Sequence, residues 1–323
     1  MNNRQKIRRR RRRLNKGFRR FLGLMAFLVL GAVLYFAISA ALGGEDAPPA
    51  GGSVATGVDV GNLRIYHDHA ALNYAIHYND PNQTFRIFDP EGFVNDTIFN
   101  PRNRTISLHT DLPIIVDIRN GEGDYTHVHV ISPREFYDRI IVIDPGHGGA
   151  DQGAPAPGGA LESQIVLEIS LLLYDLFEQS NSGIRAFMTR FDDDFVTLAR
   201  RSRFANGVGH LFVSIHTNTY ADPAVAGTET LYNPASNPLN AAFAQIIQDG
   251  LVAELGTRDR GIINRQDLYV LNTTTIPAAV VEVDFKTNPQ ALINLQNREY
   301  QQRVAEALYQ AIVEAAARLD ISQ

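Results

Sequence analysis

Apolar and polar positions alternate over the first part of the folded sequence. Between residues 58 and 138, short alternating stretches occur at 84–88, 104–108, 114–118 and 127–131, and turns rich in Pro, Asn and Gly separate them. Alternation with a period of two is typical of half-buried β-strands. The pattern therefore predicts a small β-rich module over residues 58–138.

From residue 139 to 323, apolar runs of strand length alternate with longer segments of helical periodicity. We predict strands at 140–143, 184–189, 211–215, 227–232, 268–271 and 279–283, and helices at 163–179, 198–206, 238–255 and 298–319. The first helix has a wide apolar face, as a helix lying on a sheet requires. Alternation of strand and helix predicts an α/β domain whose mostly parallel, twisted sheet carries helices on both faces.

The first 57 residues follow neither pattern. Residues 21–42 carry no charge over 22 positions, close to the roughly 20 that span a bilayer as a helix. The basic segment 1–20 precedes them, so we predict a cytoplasmic tail, a single transmembrane anchor at 21–42, a Gly- and Pro-rich linker at 43–57 and an extracytoplasmic remainder. A cleaved signal peptide is the alternative, although its apolar region is usually shorter.

Charge is distributed unevenly along the chain. Residues 1–42 contain eleven Lys or Arg and no acid, so the whole chain's net charge of −5 minus this +11 leaves −16 for residues 43–323. So acidic a body argues against nucleic-acid binding. The sequence contains no cysteine, so a metal would have to be held by His, Asp or Glu.

His147 follows the first predicted strand of the α/β region directly. The sequence Asp-Pro-Gly-His-Gly-Gly at 144–149 ends the apolar run abruptly, and its glycines permit a tight turn and the close approach of a ligand. In open α/β sheets, ligands gather at the carboxyl ends of the strands. His147 is therefore a candidate functional residue, although a solvated loop histidine would give the same local pattern.

His210 and His216 bracket a single predicted strand. Six residues at about 3.3 Å each separate them by roughly 20 Å, so they cannot share a metal. His216 lies at the same sheet edge as His147. The candidate third ligand is Glu162, which follows the Gly-rich connection after the first predicted strand. Two histidines and one carboxylate leave a fourth position on zinc open for water. An ordinary acid at a helix N-terminus is the alternative interpretation of Glu162.

Glu282 lies within the apolar run of the last predicted strand. An acid there is costly unless it is paired or functional, because desolvation disfavours its charged form. A structural ion pair with Arg190 or Arg201 is one explanation. Beside a hydrolytic metal, Glu282 would instead be the general base that takes a proton and gives it to the leaving nitrogen.

His127 and His129 form a second candidate pair, in the β-rich module. Their spacing places both rings on the same face of a strand, where they could bind zinc. The sequence offers no third ligand for them. We therefore interpret the pair as part of a half-exposed strand surface.

Residues 141–319, a little over half of the chain, resemble the zinc-dependent N-acetylmuramoyl-L-alanine amidases of the type-3 amidase family. The shared motifs occur in order: IVIDPGHGG (141–149), GGALE (158–162), Thr-Arg (189–190), LARR (198–201), SIHTN (214–218), GTET (227–230), LYVL (268–271) and VVEVDF (280–285). The resemblance implies that His147, Glu162 and His216 bind zinc and that Glu282 is the catalytic acid/base. It departs at Asp284, where the family usually has Gly, and at Ser163-Gln164, where it usually has Lys-Asp.

These expectations describe a membrane-anchored autolysin that cleaves the peptidoglycan amide between N-acetylmuramic acid and L-alanine. Its substrate would be peptidoglycan, its cofactor Zn²⁺, and its membrane contact the N-terminal helix. Two alternatives remain at this point. A zinc peptidase or carboxypeptidase could act on the stem peptide, and a non-catalytic wall-binding module could retain the same fold.

Overall fold

The structure is a computed structural model that describes residues 58–60, 63–68, 73–78, 82, 84–90, 92–120 and 125–321. The predicted tail, anchor and linker (1–57) lie outside these residues. Within the described part of the chain, we find no helix whose length and apolar character would let it cross a bilayer.

The β-rich region consists of two sheets that share one core. Its strands are β1 (Val58–Val60), β2 (Leu63–Asp68), β3 (Asn73–Tyr78), β4 (Thr84–Phe88), β5 (Val94–Asn100), β6 (Thr105–Thr110), β7 (Ile115–Asn120) and β8 (Tyr125–Ile131). They form a five-stranded sheet in the order β1-β2-β3-β6-β5 and a three-stranded sheet in the order β4-β8-β7. Alternate residues, such as Ile76 and Leu108 of one sheet and Val128 and Val130 of the other, pack together. The predicted β-rich character of this region is confirmed.

The α/β region is built on a six-stranded sheet. Its strands are β9 (Ile140–Pro145), β10 (Arg185–Met188), β11 (Leu211–Asn218), β12 (Thr228–Tyr232), β13 (Asp259–Asn264) and β14 (Ala278–Phe285), in the order β10-β9-β11-β14-β12-β13. All neighbours are parallel except β12 and β14, which are antiparallel. The prediction of a mostly parallel sheet is therefore confirmed.

Helices cover both faces of this sheet. They are α2 (Glu162–Gln179), α3 (Leu198–Val208), α4 (Asn240–Leu255), α5 (Tyr269–Thr273), α6 (Pro289–Leu295) and α7 (Arg298–Arg318), and a short helix α1 (Pro133–Phe136) precedes β9. In β9, Ile141 and Ile143 pack on the side of α2, α4 and α7, while Ile140 and Val142 pack on the side of α3 and α5. Burial on both faces explains why the strand is continuously apolar.

Three elements of the α/β region, after residue 139, differ from the sequence prediction. Residues 268–271, predicted to be a strand, begin helix α5, and a short apolar run does not by itself distinguish a strand from a buried helical turn. Strand β13 was missed because it is a half-exposed edge strand without a continuous apolar run. Helix α6 was also missed, although Asn288 caps it by accepting hydrogen bonds from the backbone N–H groups of Gln290 and Ala291.

Helix α3 also contacts the β-rich region. Leu112 packs into the apolar cluster on this face of the sheet, and a Cβ at Gly207 would lie 2.5 Å from the Leu112 side chain. On the exposed rim, Arg203 donates to Asp111 at 3.2 Å. The β-rich region therefore helps to fix the helix that carries Arg201.

Candidate active site

Three predicted ligands converge at the carboxyl-end edge of the six-stranded sheet. His147 follows β9, His216 lies near the end of β11, and Glu162 is the first residue of α2. Glu162 Oε1 lies 3.2 Å from His147 Nε2 and 3.2 Å from His216 Nδ1. One donor atom from each residue lies within 4.8 Å of the other two. His210 precedes β11 at the opposite edge and is not part of this cluster.

The turn after β9 brings the two imidazoles together. Gly146 must lack a side chain, because a Cβ there would lie 2.2 Å from the His216 ring. His147 adopts a positive φ of 60°, which is uncommon for a residue other than glycine and costs energy. The ring centroids of His147 and His216 are consequently 4.9 Å apart in an edge-to-face arrangement.

Two buried arginines hold this turn through its carbonyl groups. Arg190 donates to the carbonyls of Pro145 at 3.0 Å and Gly146 at 2.7 Å. Arg201 donates to the carbonyls of Pro145 at 2.7 Å and His147 at 2.5 Å. These bonds satisfy backbone acceptors that the tight turn would otherwise leave buried and unpaired.

The charge of Arg201 is balanced by Asp144 at the end of β9. Arg201 Nη1 lies 2.6 Å from Asp144 Oδ1, and both side chains are buried. Asp144 also accepts hydrogen bonds from Thr189 at 2.5 Å and Ser214 at 2.7 Å. The polar residues of several sequence motifs thus form one network beneath the metal-ligand candidates.

Glu282 lies next to His216 on the neighbouring strand, where the two residues are paired in register. Its Oε2 is buried and has no hydrogen-bond partner among the described residues. Burial raises the pKa of Glu282 to about 7, against an ordinary value of 4.5. A carboxyl group with such a pKa can both accept and release a proton near neutral pH.

The suggested ion pair between Glu282 and Arg190 or Arg201 is wrong. Both arginines belong to the described part of the chain, and both direct their guanidinium groups at the turn after β9. The N–H groups of these arginines already donate to the carbonyls of the turn and, for Arg201, to Asp144. An ion pair with either arginine therefore does not explain the buried acid.

A second carboxylate, missed in the sequence, lies beside Glu282. Glu229 of β12 is its direct partner across the antiparallel pair. Glu229 accepts a hydrogen bond from Asn218 at 2.7 Å and pairs with Arg260 at 3.0 Å. Because Glu229 is compensated in this way, Glu282 is the carboxyl group of this pair that is available for proton transfer.

Asp284, the departure from the family motif, has a structural role. The pairing of β11 with β14 shifts in register after His216 and Glu282, so Asp284 does not simply repeat the environment of Glu282. Its Oδ1 accepts hydrogen bonds from the backbone N–H groups of Gly227 at 2.7 Å and Phe285 at 2.8 Å. Burial raises its pKa, and these two bonds partly oppose the rise.

Glu162 is buried, and its two oxygen atoms face different partners. Oε1 faces the two imidazoles and accepts a hydrogen bond from Thr217 N at 3.1 Å, whereas Oε2 contacts Lys286 Nζ. Burial alone would raise the pKa of Glu162, but hydrogen bonds from the two imidazoles and the nearby positive charges hold it well below its usual range. Lys286 was not recognised in the sequence, because a lysine after a strand is normally a surface residue.

The three donor atoms suit a zinc ion. Tetrahedral zinc with ligand bonds of about 2.0–2.2 Å places its ligand atoms roughly 3.3–3.6 Å apart, close to the 3.2 Å separations between Glu162 and the two histidines. Asp151 Oδ1 lies 2.9 Å from His147 Nδ1, which leaves Nε2 facing the other ligands. Burial lowers the pKa of His147, but Glu162 and Asp151 outweigh this and raise it overall.

His127 and His129 lie in a different environment. Both belong to β8, and the ring of Phe88 stacks on His129 with centroids 4.9 Å apart and lies 5.0 Å from His127. Among the described residues, the group of three or more candidate ligands that converges is His147, Glu162 and His216. The interpretation of the H-x-H pair as part of a strand surface therefore stands.

Comparison with known proteins gives consistent matches for the α/β region. The model of the Amidase_3 family, N-acetylmuramoyl-L-alanine amidase, matches residues 141–314. The chain is 36% identical over 176 residues to the uncharacterized protein YqiI of Bacillus subtilis, and this match covers 54% of the chain and 83% of YqiI. It is 34% identical over 175 residues to the N-acetylmuramoyl-L-alanine amidase LytC of the same organism, of which it spans 34%.

Solved structures show the same similarity. The N-acetylmuramoyl-L-alanine amidase AmiC2 of Nostoc punctiforme superposes with a TM-score of 0.53 and 34% identity, over 56% of this chain and 98% of AmiC2. An N-acetylmuramoyl-L-alanine amidase from Clostridium difficile 630 superposes with a TM-score of 0.54 and 29% identity, over 56% of this chain and 97% of that one. The similarity therefore covers slightly more than half of the chain.

Proposed function

We propose a specific reaction for this chain, which belongs to the N-acetylmuramoyl-L-alanine amidase family and is an amide hydrolase. It cleaves peptidoglycan between N-acetylmuramic acid and L-alanine, with zinc as its metal. One observation supports this most strongly. Three metal-ligand candidates and a buried carboxyl group with a pKa near neutral meet at one sheet edge. The names of LytC and AmiC2 support the substrate class.

His147, Glu162 and His216 would hold the zinc ion. Bound zinc supplies Lewis acidity, which polarises a carbonyl group and lowers the pKa of water to about 7. The Asp151 carboxylate lies 2.9 Å from Nδ1 of the His147 ring, and the contacts of Arg190 and Arg201 with the turn after β9 hold the backbone of His147 in place. Such support limits the rearrangement that the site requires during a reaction.

Glu282 would move the proton. As a carboxylate it accepts a proton from the attacking water while the water oxygen bonds to the carbonyl carbon of the lactyl group. As a carboxylic acid it then gives that proton to the alanine nitrogen as the C–N bond breaks. The products are a lactyl carboxylate on the sugar and a stem peptide with a free L-alanine amino group.

We also propose that residues 21–42 anchor the protein in the cell membrane, with the α/β region on the cell-wall side. The support is the sequence pattern, an uncharged span of 22 residues after a strongly basic segment. This location would bring the protein to peptidoglycan. Full-length protein should stay with membranes after a carbonate wash, and recovery of a soluble protein that begins near residue 40 would contradict the anchor.

Product analysis tests the proposed reaction. The purified chain is incubated with peptidoglycan, with and without a chelator, and the released fragments are identified by mass spectrometry. We expect intact stem peptides with a new L-alanine amino terminus, and no release in the chelator. Shortened stems that remain on the sugar would instead identify a peptidase, and the absence of any product from zinc-loaded protein would indicate a non-catalytic binding module.

A further inference from the structure

Lys286 is a fully buried lysine at the candidate metal site. It follows the last residue of β14, and its backbone N–H donates to the carbonyl of Asn218 at 2.9 Å. Its Nζ contacts Glu162 Oε2 and donates to the carbonyl of Thr217 at 2.9 Å. Its charge opposes the rise in the pKa of Glu282, but Lys286 itself neither binds the metal nor carries the proton in the proposed reaction.

The two carboxylate oxygen atoms of Glu162 have different partners because Lys286 contacts only one of them. Oε1 lies 3.2 Å from each of the two histidine ring nitrogens and 3.1 Å from Thr217 N. Oε2 faces the ammonium group instead. Since the ammonium is wholly removed from water, it needs a close negative partner, and Glu162 is the carboxylate with which it forms an ion pair in the described part of the chain.

We infer that Lys286 is a positioning residue for the metal ligand Glu162: it occupies Oε2, so that Oε1 alone is offered to the metal, and it supplies the counter-charge of the buried carboxylate when no metal is present. This inference rests on the proposed function, because it requires a metal at His147, Glu162 and His216. Lys286 itself is not one of the predicted metal ligands.

The charge of Lys286 has a consequence for metal binding. Lys286 and a divalent cation share the same carboxylate, so each weakens the attraction of Glu162 for the other. Without Lys286, the metal-free protein would keep a buried carboxylate that lacks its cation, and zinc would relieve this cost. Removal of Lys286 should therefore destabilise the metal-free protein more than the zinc-loaded protein.

A purely structural lysine would behave differently. If Lys286 merely filled space or tied β14 to the Thr217 carbonyl, its loss would destabilise the protein equally with and without zinc. Metal affinity would then be unchanged. The dependence of stability on zinc separates the two roles, because it measures the coupling between the two cations directly.

The test compares the full-length wild type with Lys286→Met, which keeps a similar length and removes the charge. Zinc affinity is measured by competition with a chromogenic chelator, and melting temperature is measured with zinc and with chelator. We expect zinc to bind Lys286→Met at least about tenfold more tightly, equivalent to about 1.4 kcal/mol, and to raise its melting temperature by more than that of the wild type. X-ray absorption should detect a second Glu162 oxygen at the zinc.

Lys286→Arg is the matched control. It keeps the positive charge, so its zinc affinity should return towards that of the wild type. Equal zinc affinity and equal melting shifts in wild type and Lys286→Met would overturn the inference, as would failure of both Lys286→Met and Lys286→Gln to fold even in zinc. Failure of the wild type itself to bind zinc would instead contradict the proposed function.

Discussion

The two ends of strand β11 carry the same residue type in opposite settings. At the carboxyl end, the His216 ring is 22% exposed and lies 3.2 Å from the Glu162 carboxylate. At the amino end, His210 is buried beside Arg134 and Asp138, in a cleft that Leu319 and Ile321 also line. Burial and the charge of Arg134 lower the pKa of His210.

The difference between these histidines comes from the topology around them. Parallel strands β9, β11 and β14 end at the same edge, so His147, His216 and Glu282 reach it from three neighbouring strands. At the opposite edge lie α1 and the segment directly after α7, which includes Leu319 and Ile321. A histidine of this fold therefore gains partners for metal chemistry from its position along the strand, in agreement with the general location of ligands in open α/β sheets.

The largest expected effect is the difference between substitutions at His216 and at His210. His216→Ala removes a predicted zinc ligand, so we expect loss of bound zinc and of amidase activity, and His147→Ala should do the same. His210→Ala is the matched control, because the residue directly precedes the same strand at its other end, and it should keep both zinc and activity. Zinc per chain by elemental analysis and release of stem peptides are the measurements. Loss of zinc in His210→Ala alone would contradict the assignment.

The second largest effect is expected at Glu282. Glu282→Gln keeps the size of the side chain and removes the titrating group, so zinc should stay bound while kcat falls. The loss should be about 10² to 10⁴, the contribution of general acid/base catalysis, or roughly 3 to 5 kcal/mol. Steady-state kinetics on soluble muropeptides measures it. Undiminished kcat in this variant would remove Glu282 from the mechanism.

The pH dependence of stability sharpens the comparison further. In the metal-free protein, burial raises the pKa of Glu282 from 4.5 to about 7, so between these values the folded state binds more protons than the unfolded state. Stability should therefore be lost as pH rises through this window, by at most about 3 kcal/mol. Glu282→Gln removes this loss, while the titration of His147 is common to both proteins.

The measurement is denaturant unfolding of chelated wild type and Glu282→Gln at pH 5 and pH 8. The variant should gain stability relative to the wild type at the higher pH. A difference between the two proteins that is the same at both pH values would show that Glu282 is already ionised in the folded state.

The smallest effect on activity is expected at Asp284. Asp284→Gly introduces the usual residue of the family but leaves the backbone N–H groups of Gly227 and Phe285 without this acceptor. We expect a loss of about 1 to 3 kcal/mol in the free energy of unfolding and activity within about tenfold of the wild type. Activity that falls as far as in Glu282→Gln, with zinc still bound, would move the general base to Asp284.

The site residues at the carboxyl-end edge could be predicted where a continuous apolar run in the sequence identifies the strand that carries them. His147, His216 and Glu282 lie in or directly after continuous apolar runs, and the parallel order of those runs fixes the edge on which they meet. Glu162 could be placed because a Gly-rich connection and an amphipathic helix define its position. The mostly parallel character of the sheet and the helices on both of its faces followed from the same patterns, whereas the order of the strands did not.

Residues whose role depends on distant partners were beyond such reasoning. In the sequence, Lys286 looks like a surface residue. Only the folded chain shows that it contacts Glu162, which lies 124 positions earlier. Arg190 and Arg201 were considered only as alternative ion-pair partners of Glu282, because the backbone carbonyls of a turn cannot be recognised as their partners from a sequence. Residues 268–271 were assigned to a strand because a short apolar run does not reveal its backbone conformation.

Anomalous diffraction at the zinc absorption edge, from crystals of the zinc-loaded protein, tests the central claim most directly. We predict a zinc peak within about 2.0–2.2 Å of one atom each of His147, Glu162 and His216, with Glu282 nearby but not bonded to the metal. A zinc peak at the His210 edge or at His127 and His129, or a peak that has Glu282 as a ligand, would contradict the account.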